Sequence, residues 1–432
     1  MNIYSLNSIP NTVYDRVMKR SFGLSSNQGV QKRVRRVFED VQTNQDRALL
    51  GEYEKRFGST NKMSLRVTSP EIKNAYKQVD ASVICALQQM IKNIRNVTNA
   101  QLKTKTDPAV VTEKGVKVWR EWRAIEKIGL YIPGGKALYP SSVLMCGIPA
   151  VIAGCKEIII CSPPSDKGKI SAIILVASDM IGISNIFSVG GPYAIAALTY
   201  GTKSIPKVDK IFGAGNAFVT TAKMLALETT SIDMPAGPSE VFIIADDSAN
   251  SSYIAADLLA DGEHGDDSAC VLVTTSPVVA KKTVIEIEKQ LNNLSTASRI
   301  RESLKKYGLI AIADSLKDAI NFANNYAPEH LEIMTKNPVA VSKKINNAGS
   351  VFIGNYTSKS SGDYATGANH ILPTGAMAKS YPPLGVDAFG KWMQIQRCTK
   401  LGLNSIRKTI ETMAIAEQLP AHKYSTAIRF IK

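Results

Sequence analysis

Four histidines occur in the 432-residue chain, at positions 264, 330, 370 and 422, each near a carboxylate or an amide in a polar segment. Asp261 and His264 are three residues apart at the end of a helical pattern, a spacing at which two side chains converge on one point. A carboxylate and an imidazole so placed are half of a metal site; for these residues alone, a solvated histidine on a fraying helix end is the plainer alternative. Adjacent Glu329 and His330 have the types that proton transfer needs: an imidazole that titrates near neutral pH and a carboxylate able to orient water. The same pair is also ordinary loop chemistry. The segment from Ser361 to His370, rich in glycine and polar groups, has the composition of a ligand-lining loop. Asp363 from that loop and His422 beyond the last helix would complete a set of two carboxylates and two imidazoles, which suits zinc.

Elements that position these residues are legible in the apolar periodicity. From Ile128 onward the chain alternates strand and helix patterns: strands at 128–132, 157–161, 185–189 and 210–212, with helices at 141–153, 170–181, 193–200 and from Asn216 to about Leu227. Such alternation predicts a parallel sheet with right-handed crossovers and a ligand at the carboxyl ends of its strands. Three of those ends carry glycines before a helix: Pro133-Gly134-Gly135, Gly190-Gly191 and Gly213-Ala214-Gly215-Asn216. Glycines there let backbone N–H groups approach a phosphate, although plain turn chemistry needs them too and no GxGxxG occurs. A second series of strands, at 241–245, 271–275, 309–312, 331–334 and 351–353, predicts a second sheet. The expected fold is α/β, with two Rossmann-like parallel-sheet domains and small N- and C-terminal helical segments. Its parts would be an arm at 1–25, a discontinuous catalytic domain at 26–110 with 238–380, a dinucleotide-binding domain at 111–237 and a C-terminal segment at 381–432. The helical patterns at 28–57 and 70–97 are expected to pack on the second sheet.

Composition narrows the function class. A 44% hydrophobic, 21% charged chain of this length is a soluble globular protein of two or three domains. The net charge of +15 favours anionic ligands, but Lys and Arg are dispersed and no nucleic-acid module accompanies them. Six cysteines without a CxxC pair, mostly among apolar residues, read as reduced core thiols of a cytoplasmic protein. No signal-peptide pattern opens the chain, and no apolar run is long enough to span a membrane.

Taken together and in order, IDMPAGPSE, ADLLADGEHG, YAPEHLE, SGDYATGANHILPT and AEQLPAH, with YIPGG, VGG before AIAALTYGT, and VDKIFGAGN, resemble histidinol dehydrogenases over roughly residues 30 to 430. The resemblance implies a zinc- and NAD-dependent enzyme that oxidises L-histidinol through L-histidinal to L-histidine. It also implies a homodimer whose C-terminal segment reaches into the partner's active site. Asp261, His264, Asp363 and His422 fall at its zinc-ligand positions, Glu329 and His330 at its acid/base positions. Ser239, His370 and Glu417 join the metal ligands and His330 around the substrate, and Tyr131, Tyr193 and Asn216 fall at the dinucleotide-contact positions.

Four positions depart from the family pattern. Asp261 stands where glutamine is usual, Pro192-Tyr193 where Ala-Gln is usual, Ala214 where proline is usual, and Ser358-Lys359 where Pro-Glu is usual. A lysine beside a cationic substrate amine costs binding, whereas one beside an anionic group gains it. Lys359 therefore keeps open a paralogous zinc/NAD dehydrogenase for another polar or anionic alcohol, such as a sulfonated propanediol. An inactive binding protein of the same fold is the reading from a different class.

Overall fold

The computed structural model describes residues 1–20, 28–58, 64–101, 105–134, 138–165 and 168–431. Gly135 of the expected glycine turn and the expected boundary at residue 25 lie outside them.

Two parallel sheets carry the molecule. The first has five strands, in spatial order Ile186–Ser188, Glu157–Ser162, Lys127–Tyr131, Lys210–Phe212 and Ser231–Ile232. Its strands read as continuous apolar runs because helices cover both faces. Pro140–Ala153 and Ala172–Met180 bury one face, Gly191–Tyr200 and Ala217–Ala226 the other. The second has six strands, in order Ile3–Ser5, Leu309–Ile312, Ala269–Thr274, Glu240–Ala245, His330–Met334 and Ser350–Ile353. Ser251–Gly262, Pro277–Leu291 and Ala297–Tyr307 cover one side; Asn11–Met18 and Leu316–Tyr326 cover the other. The α/β class with two parallel sheets is as expected.

Two expectations are corrected. The early helices pack on the first sheet, not the second. Val34, Phe38, Val41, Ala48 and Leu49 join the cluster of Ala194 to Leu198 and Ala222, while Leu87 and Ile94 join that of Val143 and Leu144. Each Leu, Ile or Phe buried there contributes about 1.5–3 kcal/mol relative to exposure, and either sheet offers that gain to an amphipathic helix. Nor is the C-terminal segment wholly helical. Gly390–Cys398 pairs antiparallel with Val116–Ala124, which also pairs with Val110–Glu113, in a separate three-stranded sheet with Trp392 opposite Trp122. Among the described residues no helix is long and apolar enough to cross a membrane.

Candidate active site

A cleft of about 350 Å³ lies between the two sheets. One wall comes from the carboxyl ends of strands in the first sheet, through Tyr131, Gly134 and residues 214 to 217. The opposite wall comes from the amino ends of strands in the second, through Ser239, Glu329 and His330. Ligand binding at carboxyl ends therefore describes only half of this cleft.

The first wall is built on a glycine turn and a capped helix start. Gly213 has φ +118°, and a Cβ added there would run into the Tyr131 carbonyl, so this turn accepts only glycine without rearrangement. Asn216 caps the helix that follows, its side-chain oxygen accepting from the N–H groups of Phe218 and Val219 at 3.1 and 3.2 Å. Tyr131 is buried, and its hydroxyl accepts the Gly191 N–H at 3.2 Å. Tyr193 does not line the cleft; in the first turn of its helix it packs against the cluster that holds Phe38 and Leu198.

On the second wall, local sequence sets Glu329 and His330 side by side. Ser315 caps the helix Leu316–Tyr326, and Ala327, at φ +50°, ends it in a left-handed turn that leads into the strand beginning at His330. His330 Nδ1 lies 2.9 Å from the Glu240 carbonyl oxygen. A carbonyl only accepts, so Nδ1 carries the proton and the lone pair of the neutral ring sits on Nε2. Nε2 is buried and without a hydrogen-bond partner. Burial opposes the charged ring, yet Glu329 and Asp261 together hold the His330 pKa above the ordinary histidine value. Glu329 accepts from the Glu240 N–H at 2.8 Å and the Ser239 hydroxyl at 3.1 Å, and burial raises its pKa.

Behind this pair lies a layer that the sequence reading did not assign. Arg20 donates to Glu240 at 2.7 Å and to the Tyr326 carbonyl at 3.0 Å, with its guanidinium over the Tyr326 ring. Glu240 also accepts the Gly375 N–H at 2.6 Å. Glu240 stands at the end of IDMPAGPSE, where its place in that motif was the available signal; nothing in the sequence points to Arg20.

Three of the four expected metal ligands converge. Asp261 ends the helix Ser251–Gly262 and is fully buried; His264 follows, and Asp363 lies on the short helix Lys359–Tyr364. Gly362 lets that helix lie against Phe352, where a Cβ would come within 2.6 Å of the ring. Lys359 stands one turn before Asp363, on the same face, and its ammonium occupies the centre of the cluster. It lies 2.8 Å from His264 Nε2, 2.9 Å from Asp363 and 3.2 Å from Asp261. Burial opposes the charge on Lys359, but the two carboxylates raise its pKa, and it holds both of theirs below the usual range. His264 is pushed down by burial and by the ammonium. Among the described residues no group of three or more His, Cys, Asp or Glu is arranged to hold a metal ion. Asp261, His264 and Asp363 therefore do not fit a metal while Lys359 stands between them.

His370 lines the same cleft, its Nδ1 3.2 Å from the Asp363 carbonyl and its Nε2 3.4 Å from the Ser142 hydroxyl. Burial lowers its pKa to about 4, so the ring is neutral. Ser141, Ser142 and Tyr139 also line the cleft and were not singled out in the sequence, although Tyr139-Pro140-Ser141-Ser142 opens a helix as capping segments do. Glu417 and His422 are not brought to this cleft: both are exposed, on the C-terminal helical segment.

The histidinol dehydrogenase family model matches residues 22–430. A histidinol dehydrogenase of Bacteroides fragilis is 46% identical over 397 residues, covering 92% of each chain. That of Vibrio vulnificus is 43% identical over 432 residues, covering 98% of this chain and 97% of the other. The crystal structure of histidinol dehydrogenase from Elizabethkingia anophelis superposes with a TM-score of 0.93 at 42% identity, over 99% of this chain and 98% of that one. With this likeness along nearly its whole length, the chain belongs to the histidinol dehydrogenase family, oxidoreductases of histidine biosynthesis.

Proposed function

We propose that the chain oxidises L-histidinol to L-histidine through L-histidinal, with NAD as hydride acceptor. The observation that carries this reading is the buried, unpartnered Nε2 of His330 on a cleft whose other wall is a glycine-lined nucleotide cradle. Tyr131, Gly134 and residues 214 to 216 would hold NAD, which when bound accepts a hydride. Tyr193, outside the cleft, would act on NAD only through the helix Gly191–Tyr200 that carries it.

The neutral His330 ring takes the hydroxyl proton on Nε2 as the carbinol carbon gives up its hydride, leaving an aldehyde. Glu329, held by Ser239 and the Glu240 N–H, takes a proton from water as the water oxygen adds to the aldehyde carbon, and the carbonyl oxygen takes back the proton that His330 held on Nε2, giving the hydrate. Nε2, free again, takes a hydroxyl proton of the hydrate as the second hydride leaves, and the acid so formed loses its proton to give the carboxylate; two NAD are reduced for each alcohol. His370, neutral, offers the substrate a hydrogen-bonding ring rather than a charge. Glu417 and His422 would act from the partner subunit of a homodimer. The zinc expected at Asp261, His264, Asp363 and His422 enters no step here, because Lys359 fills the position.

The anionic-alcohol reading needs a free ammonium facing the substrate, and Lys359 spends its charge on two carboxylates. The test is NADH formation by the purified protein with L-histidinol beside a panel of polar alcohols that includes a sulfonated propanediol. Growth of a histidine-requiring strain lacking this step, when given the chain, supports the reading. Turnover of another alcohol alone would overturn it.

A further inference from the structure

We propose that the Lys359 ammonium is the resident cation of this site, standing where the family resemblance puts zinc, so that the chain works without a metal at Asp261, His264 and Asp363. An ammonium has three N–H donors and no acceptor. Lys359 hydrogen-bonds His264 Nε2 and Asp363 at 2.8 and 2.9 Å and pairs its charge with Asp261 at 3.2 Å, so its contacts are made inside the cluster. Those are hydrogen-bond lengths; zinc holds imidazole nitrogen and carboxylate oxygen at about 2.0–2.2 Å. The side chain is almost wholly buried, where water cannot replace a lost partner.

Two departures from the family pattern explain each other here. Lysine for glutamate at 359 adds positive charge, aspartate for glutamine at 261 adds negative charge, and the two side chains are in contact. A lysine among the usual residues would lack one carboxylate partner, and an aspartate without the lysine would leave an uncompensated charge at a position with no exposure. As a pair they form a neutral unit that keeps the cluster together. The substrate is then oriented by hydrogen-bonding side chains around the cleft, Ser239, His264 and His370 among them, rather than by ligation. Lys359 is on this account a positioning residue: it sets Asp261, Asp363 and His264 and contributes no proton to the reaction.

The deciding measurement is metal stoichiometry on the full-length protein purified from zinc-supplemented cells, followed by titration with zinc chloride. The expected result is well under one zinc per chain, no saturable high-affinity zinc uptake, and NADH formation unaffected by a chelator. The double variant Asp261→Gln with Lys359→Glu, which restores the family's usual pair, should take up one zinc per site and rise in Tm when zinc is added. Lys359→Met, which vacates the centre without adding charge, should be less stable than the parent and recover on zinc addition. One zinc per parent chain, retained on dialysis and lost in His264→Ala, would overturn the inference whether or not either variant folds. A zinc-free protein inactive on L-histidinol but active on another alcohol would sink the proposed substrate and leave the lysine site standing. A zinc-loaded, histidinol-active protein would do the reverse.

Discussion

His330 Nδ1 faces the Glu240 backbone oxygen at 2.9 Å, and this single contact decides which nitrogen of the ring can act as a base. The strand pairing that puts His330 beside Val241, next in sequence to Glu240, is what holds it. With Nδ1 engaged, His330→Asn removes the lone pair offered to the cleft while leaving a side chain of similar polarity. Turnover is expected to fall by about 10²-fold or more, with NAD affinity retained. Steady-state kinetics beside a dinucleotide-binding measurement checks this, and parental turnover would remove His330 from the mechanism.

Because the His330 pKa is raised, the pH profile has a definite sign. A base is competent only when neutral, so kcat should climb as pH rises through a value above the ordinary histidine range, and then level off. Below that value the ring is protonated and the rate is lost. The His330→Asn variant should lack this acid limb; if it keeps the same limb, another group titrates there.

In the proposed mechanism Glu329 serves the second oxidation more than the first. Glu329→Gln keeps an acceptor oxygen for the Ser239 hydroxyl and the Glu240 N–H but removes the carboxylate that takes the proton from water. Aldehyde oxidation is expected to slow by about 10²- to 10⁴-fold, with a smaller effect on the alcohol step. Rapid-quench analysis should find aldehyde accumulating. Equal slowing of both steps would assign Glu329 to positioning alone.

Arg20 and Glu240 form a buried ion pair directly behind Glu329 and His330. Arg20→Met takes from the buried Glu240 the guanidinium that meets it at 2.7 Å, a loss of about 3–5 kcal/mol. Denaturant unfolding measures it, and kcat should fall as well, since Glu240 supplies the backbone groups that hold both Glu329 and His330. A loss within a few tenths of a kcal/mol would mean that the pair is spare.

Gly213→Ala tests the nucleotide cradle. At φ +118° an alanine is strained by about 1–3 kcal/mol, and its Cβ would push on the Tyr131 carbonyl. Stability should drop and the KM for NAD should rise more than the KM for the alcohol, as two-substrate kinetics would record. An unchanged KM for NAD would move the dinucleotide away from this turn.

Most of the architecture is written locally. Runs such as Val241 to Ala245 and Ile158 to Cys161 are apolar at every position because both faces are covered, and the helical patterns between them repeat with the backbone's own period. Those features belong to a few consecutive residues, so the two parallel sheets were legible from the chain alone. That Asp261 lies near His264, and Glu329 beside His330, was legible for the same reason: each pair is held by neighbouring backbone. What tertiary structure decided was everything that depends on partners far apart in sequence. The apolar stripe of Val34, Phe38 and Val41 fits any apolar layer, and only the packed fold selects the first sheet over the second. Gly390–Cys398 becomes a strand because Val116–Ala124 offers it an edge. Arg20 reaches Glu240 across 220 residues. Lys359 read in sequence is a charge of unknown direction, because a long side chain has many rotamers of similar energy; the buried carboxylates of Asp261 and Asp363, brought there by separate helices, select the one that places its ammonium between them.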